Sequence, residues 1–100
     1  MGTKESKFQE KLIKELKIIF PSSIVLKNDP NYLQGFPDIT ILNGNKWAAL
    51  ECKKSDSEPH QPLQDYYVNL LDSMSYASFV CPENKEVVLD EIQRALGSQG

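Results

Sequence analysis

One hundred residues, 40% apolar and 25% charged, describe a single globular domain with one core, expected over residues 1–97 with a frayed tail at 98–100. No apolar run is long enough to span a membrane, the N-terminus reads as a charged helix and not a signal peptide, and one histidine with two distant cysteines excludes a His/Cys zinc site and a disulfide framework. A reducing, cytoplasmic setting is expected, and the net charge of −3 conceals an asymmetry: residues 1–54 carry nine lysines against six acids, residues 55–100 eight acids against two bases.

Phe8, Leu12, Leu16 and Ile19 recur at helical spacing and predict an amphipathic helix over residues 4–20, ended by Pro21-Ser22-Ser23. Ile24-Val25-Leu26 reads as a first strand. Residues 28–37, with two prolines, a glycine and two asparagines, read as a loop. Ile39 to Leu42 and Lys46 to Lys53 then form a hairpin about Asn43-Gly44, a strong two-residue turn signal. Its second strand is apolar from Trp47 to Leu50, as a strand covered on both faces would be. After a polar loop, Pro62 opens a helix over 62–74 with Leu63, Tyr67, Leu70, Leu71 and Met74 as its apolar stripe. Tyr76 to Cys81 is a fourth strand stopped by Pro82. Asn84 is the expected N-cap of a last helix that turns Val88, Leu89, Ile92 and Leu96 inward and ends at Gly97. The predicted class is α/β, in the order α-β-β-β-α-β-α around a small mixed sheet.

Strand alternation gives the hairpin a chemical meaning. With Asn43-Gly44 as the turn, Asp38 faces Ala49 and is the diagonal neighbour of Glu51, and Asp38, Glu51 and Lys53 share one side of the sheet. A three-residue turn would send Asp38 to the other face. Two carboxylates at the end of a buried strand are costly without a partner, and hard oxygen ligands suit Mg²⁺ or Mn²⁺, with the Cys52 backbone carbonyl as a further ligand. Glu51-x-Lys53 alone would read as a salt bridge on an exposed strand; Asp38 in register, after Gly35-Phe36-Pro37, shifts the reading toward a site.

Gly35-Phe36-Pro37-Asp38 followed by Glu51-Cys52-Lys53 resembles the signature of the PD-(D/E)XK nuclease superfamily, and the predicted element order is similar to its restriction-endonuclease-like core. Within it, residues 4–82 look most like small stand-alone VRR-NUC proteins, common in phages, and archaeal-type Holliday-junction resolvases. The resemblance implies a phage- or prokaryote-type intracellular enzyme: a Mg²⁺- or Mn²⁺-dependent deoxyribonuclease acting on branched DNA as a homodimer. Asp38 and Glu51 would hold the metal and Lys53 would act on the attacking water. A first-helix glutamate near the metal maps to Glu5, with Glu10 as the competing position. A glutamine on the following helix maps to Gln64, with Gln61 as second choice. A chain of this size suggests shape and phosphate readout, for which Lys7, Lys11, Lys27 and Lys54 are candidate DNA contacts. Tyr32 could stack on an unpaired base; the alternative is a loop tyrosine packed down on the body. His60 reads as an idle loop residue, and Cys52 and Cys81 as core. A flap- or end-specific nuclease or nickase, or a non-catalytic DNA-binding module of nuclease fold, are the alternatives.

Overall fold

Thr3 starts the first helix: its Oγ1 accepts the Ser6 N–H at 3.1 Å, satisfying one of the free donors of the opening turn. Helix α1 (Lys4–Ile19) follows, with Leu12 and Leu16 fully buried, in a computed structural model that describes residues 3–97. The tail at 98–100 lies outside the described residues. Strands β1 (Ile24–Lys27), β2 (Ile39–Asn43) and β3 (Lys46–Cys52) form an antiparallel meander. Helix α2 (Pro62–Met74) then carries the chain to β4 (Tyr76–Val80), which pairs parallel with β3, and helix α3 (Lys85–Leu96) ends the described chain. The order is the predicted one, α-β-β-β-α-β-α around a four-stranded mixed sheet in the order β1-β2-β3-β4. Among the described residues no helix is long and apolar enough to cross a membrane.

The two faces of the sheet have different covers. Ile39, Ile41, Ala48, Leu50, Cys52 and Val80 pack with Leu12, Leu16 and Phe20 of the α1 region and with Val88, Leu89, Ile92 and Leu96 of α3. Each large aliphatic side chain buried there contributes about 1.5–3 kcal/mol. The other face carries a smaller cluster of Ala49, Val68, Leu71 and Ala77, flanked by Phe36, Trp47, Tyr67 and Phe79. It is this second face that receives Glu51 and Lys53.

Three expectations need correction. The hairpin turn is Gly44-Asn45, with Asn43 paired to Lys46 and Ile39 to Leu50. Gly44 takes φ 66° and Asn45 a negative φ, the type II′ pattern with glycine first. Asn43 stays in β2 because its Nδ2 donates to the Leu96 carbonyl at 3.1 Å, serving an unpaired acceptor at the end of α3. The inward stripe of α2 is Val68 and Leu71, buried, with Gln64 and Tyr67 half-buried: Tyr67 and Leu71 fall where predicted, whereas Leu63, Leu70 and Met74 are exposed. Asn84 is the N-cap of α3 as predicted, and its carbonyl accepts the Val88 N–H at 3.0 Å, but its side chain does not cap the helix. Its Oδ1 accepts from the Cys81 N–H at 2.8 Å and its Nδ2 donates to the Phe79 carbonyl at 3.1 Å, tying the turn back to β4.

Candidate active site

The corrected register changes how the two acids meet. Continuing the ladder one step beyond Ile39–Leu50 sets Asp38 directly opposite Glu51, where the predicted turn made them diagonal neighbours. The side chains still share a face, because moving a two-residue turn by one position preserves the alternation. At the end of the ladder the Asp38 side chain replaces a backbone acceptor: its Oδ2 accepts the Cys52 N–H at 2.8 Å. The Asp38 carbonyl accepts from the Asn28 N–H at 2.7 Å, and Asn28 Nδ2 donates to the Pro37 carbonyl and Thr40 Oγ1, both at 2.8 Å. Asp38 is thus held from β1 and β3 at once. Gly35 sets up the approach, with φ 85° and so little room that an added Cβ would stand 2.4 Å from Leu63 Cβ.

Glu51 is 4% exposed and Lys53 5%, so the pair does not sit on a solvated strand face. They form no direct ion pair among the described residues; Gln64 stands between them. Lys53 Nζ donates to Gln64 Oε1 at 2.6 Å and to the Pro59 carbonyl at 3.3 Å, while Gln64 Nε2 donates to Glu51 Oε2 at 3.2 Å. Gln64 can do this because it lies in the first turn of α2, where its Oε1 also accepts the Gln61 N–H at 3.0 Å. Gln61 itself is exposed at the helix start. Phe79, beside Glu51 across the β3–β4 ladder, places its ring centroid 6.0 Å from Lys53 Nζ. His60, in the loop before α2 as read, stacks on that ring at 3.7 Å, and its Nδ1 lies 3.0 Å from Asp65 Oδ1.

The electrostatics are those of carboxylates crowded together. Burial, then the Asp38 carboxylate, push the Glu51 carboxyl up to about 8. Burial also raises Asp38, against the opposing pull of the Cys52 N–H bond and of the hydrogen bond from Glu51. The two carboxyls titrate as a pair, each raised by burial, and Asp38 also accepts a backbone N–H. The Glu5 carboxyl is raised by burial and then by Glu58, to which it hydrogen-bonds; it also feels Asp38 and Lys53. Glu10 is exposed on α1. Burial pushes the Cys52 thiol up as well, in keeping with its place in the core; Cys81 is buried too.

Glu58 was not a predicted site residue. Its Oε1 accepts from the Lys54 N–H at 2.8 Å and its Oε2 lies 4.0 Å from Lys53 Nζ, so the 53–61 loop folds its acid back over the site. Only its position in a polar loop with no periodicity preceded it, and that is no signal. Asn28 was read as loop, although an asparagine just after a strand is a natural anchor for the next segment. Of the proposed DNA contacts, Lys7 and Lys11 are exposed on α1, Lys54 is exposed beside Glu58, and Lys27 is exposed at the end of β1 within electrostatic reach of Asp38. Tyr32 is 89% exposed, so the packed-down alternative does not hold.

The donor set suits a hard divalent cation. Among the described residues no three His, Cys, Asp or Glu side chains form a group that could hold a metal ion; Asp38 and Glu51 are a pair of carboxyls, and Glu5 is near enough to feel Asp38. A strand residue presents its N–H and C=O to the same side, so Cys52, whose N–H meets Asp38, directs its carbonyl to that side too. Two carboxylates and a carbonyl, completed by water, fit Mg²⁺ or Mn²⁺. The chain matches no protein-family model, no curated protein and no solved structure.

Proposed function

We propose that the protein is a Mg²⁺- or Mn²⁺-dependent deoxyribonuclease that hydrolyses phosphodiester bonds in branched DNA and works as a homodimer. The observation that carries the reading is the meeting of Asp38, Glu51 and Lys53 on one sheet face: Glu51 and Lys53 are buried and joined through Gln64 of α2, and Asp38 is half-buried and accepts the Cys52 N–H. The resemblance of Gly35-Phe36-Pro37-Asp38 and Glu51-Cys52-Lys53 to the PD-(D/E)XK signature supplies the substrate class and the expectation of paired sites.

In this reading Asp38, Glu51 and the Cys52 carbonyl hold the cation, with Glu5 assisting from the rim. When bound, the ion supplies Lewis-acid stabilisation of charge on a phosphoryl oxygen. Lys53, fixed by Gln64 and the Pro59 carbonyl, orients the attacking water and offsets the negative charge that develops on the phosphate. Water oxygen bonds to phosphorus as the water gives up a proton to solvent, the bond from phosphorus to one sugar oxygen breaks, and that oxygen takes up a proton from solvent. The products are one phosphate end and one hydroxyl end. Lys7, Lys11, Lys27 and Lys54 offer contacts to the DNA backbone.

The test is cleavage of end-labelled four-way junction, flap, single-stranded and duplex DNA, with and without Mg²⁺ or Mn²⁺, beside Lys53→Ala. Metal-dependent paired nicks at the junction, reduced at least ~100-fold in the variant, are expected. Cleavage that is independent of metal or unchanged in Lys53→Ala would overturn the assignment.

A further inference from the structure

A recess of about 400 Å³ is lined by Asn28, Asp29, Tyr32, Leu33 and Phe36, within the size range of small-ligand sites, and Asn28 connects it to Asp38, whose carbonyl accepts the Asn28 N–H. From this recess we infer that the protein binds an unpaired nucleobase of its DNA substrate, stacked against Tyr32, next to the phosphate at the active site. The inference rests on the nuclease reading and adds that one nucleotide beside the cut leaves its pair in the bound, branched DNA.

The recess is built, and it is coupled to the site. Tyr32 N–H donates to the Asp29 carbonyl at 3.2 Å, Asn31 N–H to Asp29 Oδ1 at 2.9 Å and Phe36 N–H to the Leu33 carbonyl at 3.1 Å, so the loop is closed by its own turns. Phe36 is a fixed wall, edge-on to Tyr67 with centroids 5.7 Å apart, and Gly35 seats the loop tightly on Leu63 of α2. Asn28 belongs to both places. It lines the recess, and its backbone and side chain hold Asp38, Pro37 and Thr40.

The chemistry of the lining selects the base over the backbone. An aromatic ring 89% exposed at a loop offers a π-face that water solvates poorly, and Leu33 and Phe36 add apolar walls. The Asp29 carboxylate would repel a phosphate there. Lys27, exposed and one residue before Asn28, lies within electrostatic reach of Asp38 and provides a cation for the backbone. A base in the recess and its phosphate toward Lys27 and Asp38 satisfy both surfaces. Paired bases cannot enter, because both faces of each are already stacked.

The test measures binding in EDTA, where nothing is cut, using single-stranded and duplex oligonucleotides with one 2-aminopurine as the fluorescent base. Wild-type protein and Tyr32→Phe are expected to quench the unpaired 2-aminopurine, while Tyr32→Ala loses the quenching and binds single-stranded DNA roughly 5- to 150-fold more weakly. Duplex binding is expected to be unchanged by Tyr32→Ala, and the melting temperature too, because the ring is exposed. Equal single-strand binding by wild type and Tyr32→Ala, with metal-dependent cleavage intact, would overturn the recess and leave the nuclease standing. No binding to any DNA, and no cleavage, would overturn both.

Discussion

Glu51→Gln is expected to make the protein more stable at alkaline pH. The Glu51 carboxyl titrates at about 8 in the folded chain, against an ordinary value near 4.5, because it is buried and faces Asp38. A folded value above the unfolded one means that the folded state binds the proton more tightly. The stabilisation is complete below about pH 4.5 and is lost as pH rises through about 8. About 3.5 pH units at about 1.36 kcal/mol each cap the loss at about 5 kcal/mol. Relaxation around the pair reduces this to about 2–4 kcal/mol, or roughly 10 °C or more in Tm for a domain of this size. The glutamine keeps the shape, can still accept from Gln64 and can donate to Asp38 with no charge to desolvate. Urea unfolding in EDTA from pH 5 to pH 9 should show wild type weakening more steeply than the variant, with the variant the more stable at pH 9. Parallel curves for the two proteins would refute a buried, mutually repelling carboxylate pair.

Gln64→Ala should cost about 1–3 kcal/mol in urea unfolding, because the buried Lys53 loses its 2.6 Å acceptor, and should slow DNA cleavage roughly tenfold through loss of Lys53 positioning. Asn28→Ala removes two 2.8 Å bonds to the strand that carries Asp38, and about 1–3 kcal/mol of stability should go with them. Both Gly35 and Gly44 have positive φ, but only Gly35 lacks room for a Cβ. Gly35→Ala should therefore lower Tm clearly more than Gly44→Ala, for which backbone strain of about 1–2 kcal/mol is the only cost.

The order of elements was legible because the elements carry their own patterns: a period of 3.6 residues along α1 and α3, a β-branched run before the Asn-Gly turn in β2, and a continuous apolar run in β3. The common face of Asp38, Glu51 and Lys53 was legible for a stronger reason. Any two-residue turn at Asn43-Gly44-Asn45 gives the same alternation, so the shared face did not depend on the choice of turn. The choice itself was hidden, because Asn43 answers to Leu96 at the far end of the chain. Tyr67 and Leu71 of the α2 stripe were legible, while Val68 was passed over for the more apolar-looking Leu63, Leu70 and Met74, and Gln64 was left out as polar. Gln64 occupies the inward position one turn before Val68, and the same geometry that takes Leu63 out of the stripe brings Gln64 to Glu51 and Lys53. Glu58 and Asn28 reach the site through loop geometry, which leaves no period to read.

Titration of the protein with Mn²⁺, followed by calorimetry, addresses the Asp38–Glu51 pair most directly. Saturable binding by wild type and by Glu10→Ala, lost in Asp38→Ala and Glu51→Ala, is the predicted result. Equal binding by all four proteins, or none by wild type, would contradict a cation site at this pair and with it the metal-dependent chemistry built on it.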